Sequence, residues 1–125
     1  MQKQAEVPAF TDRVEQACCT PLAGGHITAD AAAVLAPAFK ALGDPVRLQL
    51  MSMIASAPGG EACVCDLTPA FDLAGPTISH HLRSLREAGL VSADRRGTWV
   101  YYRADPQLLR LLGGLLGAFV VTAAG

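Results

Sequence analysis

The sequence predicts a mainly α-helical domain closed by one small β-hairpin and paired with a second copy of itself. Three observations carry that expectation. Apolar residues recur at helical spacing along much of the chain, whereas residues 90–103 alternate as strands do. Proline, glycine and aspartate punctuate the chain at short intervals, so its helices are brief. Apolar residues make up 51% of the 125-residue chain, with 17% charged and a mean hydropathy of +0.31. That is more apolar surface than one small core absorbs, and it implies a homodimer. The same composition excludes a disordered chain.

Residues 1–27 read as a polar leader that carries Cys18-Cys19 and ends in the turn-rich Thr20-Pro21-Leu22-Ala23-Gly24-Gly25. Residues 28–125 read as the folded domain, with dimerisation helices at both ends. Thr28 suits the cap of a first helix running to Leu42, with Asp30 in its first turn. Pro37 falls inside this helix and is expected to kink or divide it. Gly43-Asp44-Pro45 closes it and opens the next, Asp44 as N-cap and Pro45 at the first helical position. The second helix extends to about Ala57, with Val46, Leu50, Met53 and Ile54 on one face. After Pro58-Gly59-Gly60, a short third helix is expected from about Cys63 to Phe71. A fourth runs from Pro76 to Gly89, with Ile78, Leu82 and Leu85 at helical spacing and Gly89 as a left-handed cap. Strands at 90–93 and 98–103 flank Asp94-Arg95-Arg96-Gly97, a hairpin with arginines at its tip. Val100, Trp99 and Tyr101 are expected to pack within that hairpin. An apolar helix opened by Asp105-Pro106 ends the chain. Two short helices, a glycine-containing turn, a further helix and a basic hairpin make a winged helix-turn-helix arrangement.

Charge is segregated along this order. Residues 1–74 hold four basic against eight acidic side chains, and residues 75–103 hold five against two. The net charge of −1 therefore hides a basic segment, and a local field is what a phosphate backbone senses. Thr77, Ser79, His80, His81 and Arg83 lie at the start and exposed face of the fourth helix. Hydroxyls, imidazoles and a guanidinium suit base edges in a major groove wide enough for a helix. Arg95 and Arg96 suit the neighbouring phosphates or the minor groove. Singly, each of these features is an ordinary helix start or a solvated face; in this order they point to double-stranded DNA.

Several segments then resemble one known family. Lys40-Ala41-Leu42-Gly43-Asp44-Pro45-Val46-Arg47-Leu48, Cys63-Val64-Cys65-Asp66-Leu67, Pro76-Thr77-Ile78-Ser79-His80-His81-Leu82, Leu85-Arg86-Glu87-Ala88-Gly89-Leu90-Val91 and Arg96-Gly97-Thr98-Trp99-Val100-Tyr101-Tyr102-Arg103 are similar to the ArsR/SmtB family of metal-sensing repressors. The resemblance runs from about Phe39 to Arg103. It departs at Ala74 and Gly75, where the family often has serine and glutamine, so a helix cap and a potential adenine-reading amide are missing.

The cysteines give the second chemistry. Cys18-Cys19 and Cys63-X-Cys65 are soft thiolate pairs, which select thiophilic ions over magnesium, calcium or manganese. The resemblance implies that Cys63-Val64-Cys65-Asp66-Leu67 is an arsenic- and antimony-binding motif on the helix before the DNA-reading helix. Residues two apart on an ideal helix point about 200° from each other, so drawing both sulfurs onto one ion would unwind that helix start. Trivalent arsenic prefers three thiolates, and Cys18 and Cys19 can supply the third, from the same chain or its partner. Relatives that sense cadmium or lead combine leader cysteines with the helix pair, which keeps a four-thiolate site open. A disulfide switch is a further alternative. His26 is read as solvated. Some relatives carry a zinc site in the last helix, and none is expected here because that helix offers Asp105 and no histidine.

The expected function is a repressor that binds operator DNA when metal-free and releases it on binding As(III) or Sb(III), with no organic cofactor. No signal peptide or membrane-spanning run is read, so the expected location is cytoplasmic. An enzyme is the rival from another class, but no nucleophile–base constellation or phosphate-binding loop supports one, and Cys63-X-Cys65 lacks thiol-redox-enzyme spacing.

Overall fold

The computed structural model describes residues 26–120, so Cys18, Cys19 and the rest of residues 1–25 lie outside the described residues. The described helices are α1 (Ala29–Leu42), α2 (Pro45–Ser56), α3 (Val64–Leu67), α4 (Gly75–Glu87) and α5 (Pro106–Ala118). Strands β1 (Glu61–Cys63), β2 (Val91–Arg96) and β3 (Trp99–Ala104) form one antiparallel sheet in the order β1-β3-β2. The fold is mainly α-helical with a small sheet, as the sequence predicts. Pro37–Pro106 forms one compact unit, and the flanking segments belong to a second.

Local rules set most helix ends. Thr28 Oγ1 accepts from the Ala31 amide at 3.1 Å and opens α1. Pro37 does not divide the helix, which stays continuous from Ala29 to Leu42, although the boundary between the two units falls at this residue. A proline removes one backbone donor, and the remaining turns carry the helix through. Asp44 caps α2, its Oδ2 accepting from the amides of Val46 at 3.0 Å and Arg47 at 3.1 Å. The Arg47 amide, helped by the Val46 amide and the Arg47 charge, holds the Asp44 carboxyl below the usual carboxylate range. Such a group contributes stability above its unfolded pKa and loses it as pH falls through the depressed folded value. We therefore expect the thermal midpoint to drop below about pH 4, and Asp44→Ala to flatten that drop in a pH series of melting curves.

In the 37–106 unit the core is apolar. Leu50 and Ile54 of α2, Leu67 of α3 and Ile78, Leu82 and Leu85 of α4 are at most 1% exposed. Helix α2 packs against α4 on one side and the sheet on the other. Its buried arc is therefore wider than one helical stripe: Met51 is buried, and Met53 is only half-buried. Helix α4 ends at Gly89, whose φ of +83° supplies the left-handed cap, with the Leu90 amide donating to the Leu85 carbonyl at 3.1 Å.

The structure corrects the sequence reading of the third helix and of the hairpin tip. The segment read as a helix from Cys63 to Phe71 begins with strand β1, paired Glu61↔Arg103 and Cys63↔Tyr101, and its α-helical part is only Val64–Leu67, followed by a 3₁₀ turn at Thr68–Ala70. Three residues are too few to show strand alternation in a sequence. In the hairpin, Arg95 and Arg96 belong to β2 rather than to the tip, because the turn is the two-residue Gly97-Thr98 closed by the pair Arg96↔Trp99. Gly97 takes the positive φ, +65°, that such a tight turn requires.

In the second unit, α5 buries Leu108, Leu112 and Leu115, while Leu116, Phe119 and Val120 stay exposed at 51%, 60% and 70%. No described helix is long and apolar enough to cross a membrane.

Candidate DNA interface and thiolate pair

Helix α4 presents two faces because its apolar residues recur at helical spacing. Ile78, Leu82 and Leu85 turn inward, and Thr77, Ser79, His80 and Arg83 stand exposed. These four are the predicted base-facing residues with free surfaces. The helix start lacks a side-chain cap, as Ala74 predicts, and the Ala74 carbonyl accepts from the Thr77 and Ile78 amides at 3.0 and 3.1 Å.

His81 is placed differently from its neighbours. Its side chain is 15% exposed, and Arg47 Nη1 donates to its Nδ1 at 3.2 Å. A guanidinium carries only donors, so Arg47 is the donor and His81 Nδ1 the acceptor. Arg47 Nε also donates to the Ala41 carbonyl at 2.7 Å, and Asp44 Oδ2 lies 3.9 Å from His81 Nδ1. In this arrangement His81 ties α4 to the start of α2 and keeps little free surface. Arg47 was not among the predicted site residues, since nothing local marks a contact across 34 positions.

The two wing arginines also separate. Arg95 is exposed, and among the described residues no side chain pairs with it. Arg96 is held by acids: Nη2 and Nη1 donate to Glu61 Oε1 and Oε2 at 2.8 and 3.0 Å, and Nε donates to Asp94 Oδ2 at 2.9 Å. Its guanidinium also lies over the Tyr101 ring, 4.3 Å from the centroid. Trp99, expected to pack within the hairpin, is 55% exposed. The alternation of β3 puts it on the solvent side of the sheet with Tyr101 and Arg103, opposite buried Tyr102 and Ala104. We expect Arg95→Ala to reduce the salt slope of DNA affinity by about one, and Arg96→Ala to reduce it by clearly less. Equal slopes for the two variants in a salt titration would contradict this assignment.

Cys63 lies just before α3 rather than within it, which corrects the expected placement of both cysteines on one helix. Cys63 is the extended residue that ends β1 and caps α3, with φ −75° and ψ 144°, and its Sγ accepts from the Cys65 amide at 3.2 Å. The two sulfurs are joined, across a Cα separation of 5.1 Å. Cys63 is 1% exposed and Cys65 is exposed, so a reagent reaches the pair from the Cys65 side. Among the described residues no group of three or more His, Cys, Asp or Glu side chains is placed to hold a metal ion. The described donor set is thus two sulfurs, a soft pair.

Residues 44–93 match the family model described as bacterial regulatory protein, arsR family. The chain is 41% identical over 99 residues to the arsenic resistance transcriptional regulator ArsR1 of Pseudomonas putida, covering 78% of this chain and 73% of that protein. It is 32% identical to the solved AntR antimony-specific transcriptional repressor, covering 78% of this chain and 85% of that one, with a TM-score of 0.58. It is 31% identical to the homodimeric winged helix-turn-helix DNA-binding domain of a possible ArsR-family regulator from Mycobacterium bovis, covering 75% and 91%, with a TM-score of 0.57.

Proposed function

Because this chain belongs to the arsR family of bacterial regulatory proteins, we propose that it is a homodimeric repressor that leaves operator DNA when As(III) or Sb(III) binds its cysteines. It is a DNA-binding transcriptional regulator with a winged helix-turn-helix. The finer reading rests on one observation: the sulfurs of Cys63 and Cys65 meet at the junction of β1 and α3. The names of the Pseudomonas putida relative and the AntR repressor point the same way.

In this reading Thr77, Ser79, His80 and Arg83 face the major groove and Arg95 a flanking phosphate, while His81 holds α4 at its angle. The dimer is built from α1 and α5, and exposed Leu116 of α5 with Phe119 and Val120 just after it call for a partner. Support for pairing comes from the homodimeric Mycobacterium bovis domain. The inducer takes Cys63 and Cys65 as thiolates, and a third thiolate comes from Cys18 or Cys19 of the same or the partner protomer. Ligation requires the reduced pair.

The test is operator release followed by gel shift in reduced protein as arsenite is added. Replacing Cys18 and Cys19 together by serine is expected to raise the arsenite concentration needed for release by about tenfold or more, since losing even a partner that only supports a ligand costs about that much. An unchanged midpoint would exclude both as ligands. The joined sulfurs also favour a second reading, a thiol redox-sensing repressor. Full operator release by a disulfide-forming oxidant alone, without arsenite, would establish it.

A further inference from the structure

The solvent side of the sheet carries a charged cluster that the DNA-reading helix does not use. Glu61, the first residue of β1, accepts three hydrogen bonds from two wing arginines: the two from Arg96 and one from Arg103 Nη2 at 2.8 Å. Arg103 Nη1 also donates to the Gly59 carbonyl at 3.3 Å. With Asp94 on Arg96, the cluster sets two acids against two guanidiniums. Cys63 lies two residues along the same short strand, so the two side chains share a side of the sheet, Glu61 opposite Arg103 and Cys63 opposite Tyr101.

We infer that Glu61 is a positioning residue that sets how strongly the wing holds DNA: it competes with operator phosphates for Arg96 and Arg103, and the thiolate pair acts on the wing through it. The second half rests on the metalloid reading above. The first half is plain electrostatics. A guanidinium engaged by a carboxylate in a bidentate pair releases no counterions from DNA, and it must leave that pair before it can contact a phosphate. The strand then supplies the link. A strand of three residues is nearly inextensible, so a displacement of the Cys63 end is felt at Glu61 and, through its three hydrogen bonds, on β2 and β3. Release of DNA requires that this displacement draw Glu61 further onto the two guanidiniums, which withdraws them from phosphate.

The experiment uses the full chain and a short operator duplex. Glu61→Gln keeps the side-chain size and removes the charge. Its salt slope is expected to steepen by about one to two, with affinity at low salt rising several-fold. Adding Arg96→Gln to Glu61→Gln should return the slope toward that of the wild type, as competition for one cation requires. A slope unchanged within error in Glu61→Gln, with an unchanged melting temperature, would overturn the competition. For the link, Trp99 is the only tryptophan and pairs with Arg96, so its emission reports on this cluster in DNA-free protein. Arsenite is expected to shift Trp99 emission in reduced wild type but not in Glu61→Gln. An equal shift in both would overturn the link. If arsenite changes neither wild-type emission nor operator affinity, the metalloid reading and the link fail together, while the salt slopes still decide the competition.

Discussion

Cys63→Ser is expected to bind operator DNA within about twofold of the wild type and to ignore arsenite. Serine preserves what the structure asks of this position apart from the thiolate. It is a favoured N-cap, so its hydroxyl can take over from Sγ in accepting from the Cys65 amide and keep the start of α3. The residue is buried with 1% exposure, and serine is slightly smaller than cysteine, so no overpacking follows. What disappears is one soft donor of the pair. Allosteric coupling in such regulators is typically worth 5- to 150-fold in affinity, roughly 1–3 kcal/mol. In the variant that factor should collapse to about one, as read by DNA-binding anisotropy with and without arsenite. Retained release would remove the β1–α3 thiolates from the sensing site.

Leu82→Ala should cost about 2–5 kcal/mol of folding stability, a large share of the roughly 5–15 kcal/mol that a small domain has. Leu82 is fully buried between Ile78 and Leu85 on the inward face of α4, the helix that packs against α2. The truncation removes a side chain from the contact that fixes the reading helix. A urea titration should show a lower midpoint with little change in slope. A loss below about 1 kcal/mol would mean that α4 is not seated by its apolar face as described.

Features governed by neighbours in sequence were legible before the structure. The Asp44-Pro45 start of α2, the Gly89 cap and the inward Ile78, Leu82 and Leu85 all follow from local rules, and all are found in the fold. The exposed Thr77, Ser79, His80 and Arg83 were legible for the same reason, because helical periodicity decides which face they share. Residues whose partners are distant were not. His81 was read with the DNA-facing cluster, and its contact with Arg47, 34 positions earlier, could not be seen in the sequence. Arg96 was read as suiting phosphates or the minor groove, and Glu61, 35 positions away, holds it in the fold. The thiolate pair was legible as chemistry but not as geometry. A helix was expected to carry both cysteines, whereas β3 recruits Cys63 into a strand and leaves it as the cap. The extended backbone at Cys63, rather than an unwound helix, is what brings the two sulfurs together.

The central claim is that soft-metalloid capture by this thiolate pair releases DNA. Its most direct test is a side-by-side titration of operator release from reduced protein with arsenite, antimonite, cadmium, lead and zinc. Release at the lowest concentrations by arsenite and antimonite, with zinc inert, is the expected result. Release led by cadmium or lead, or no release by any of the five, would contradict it.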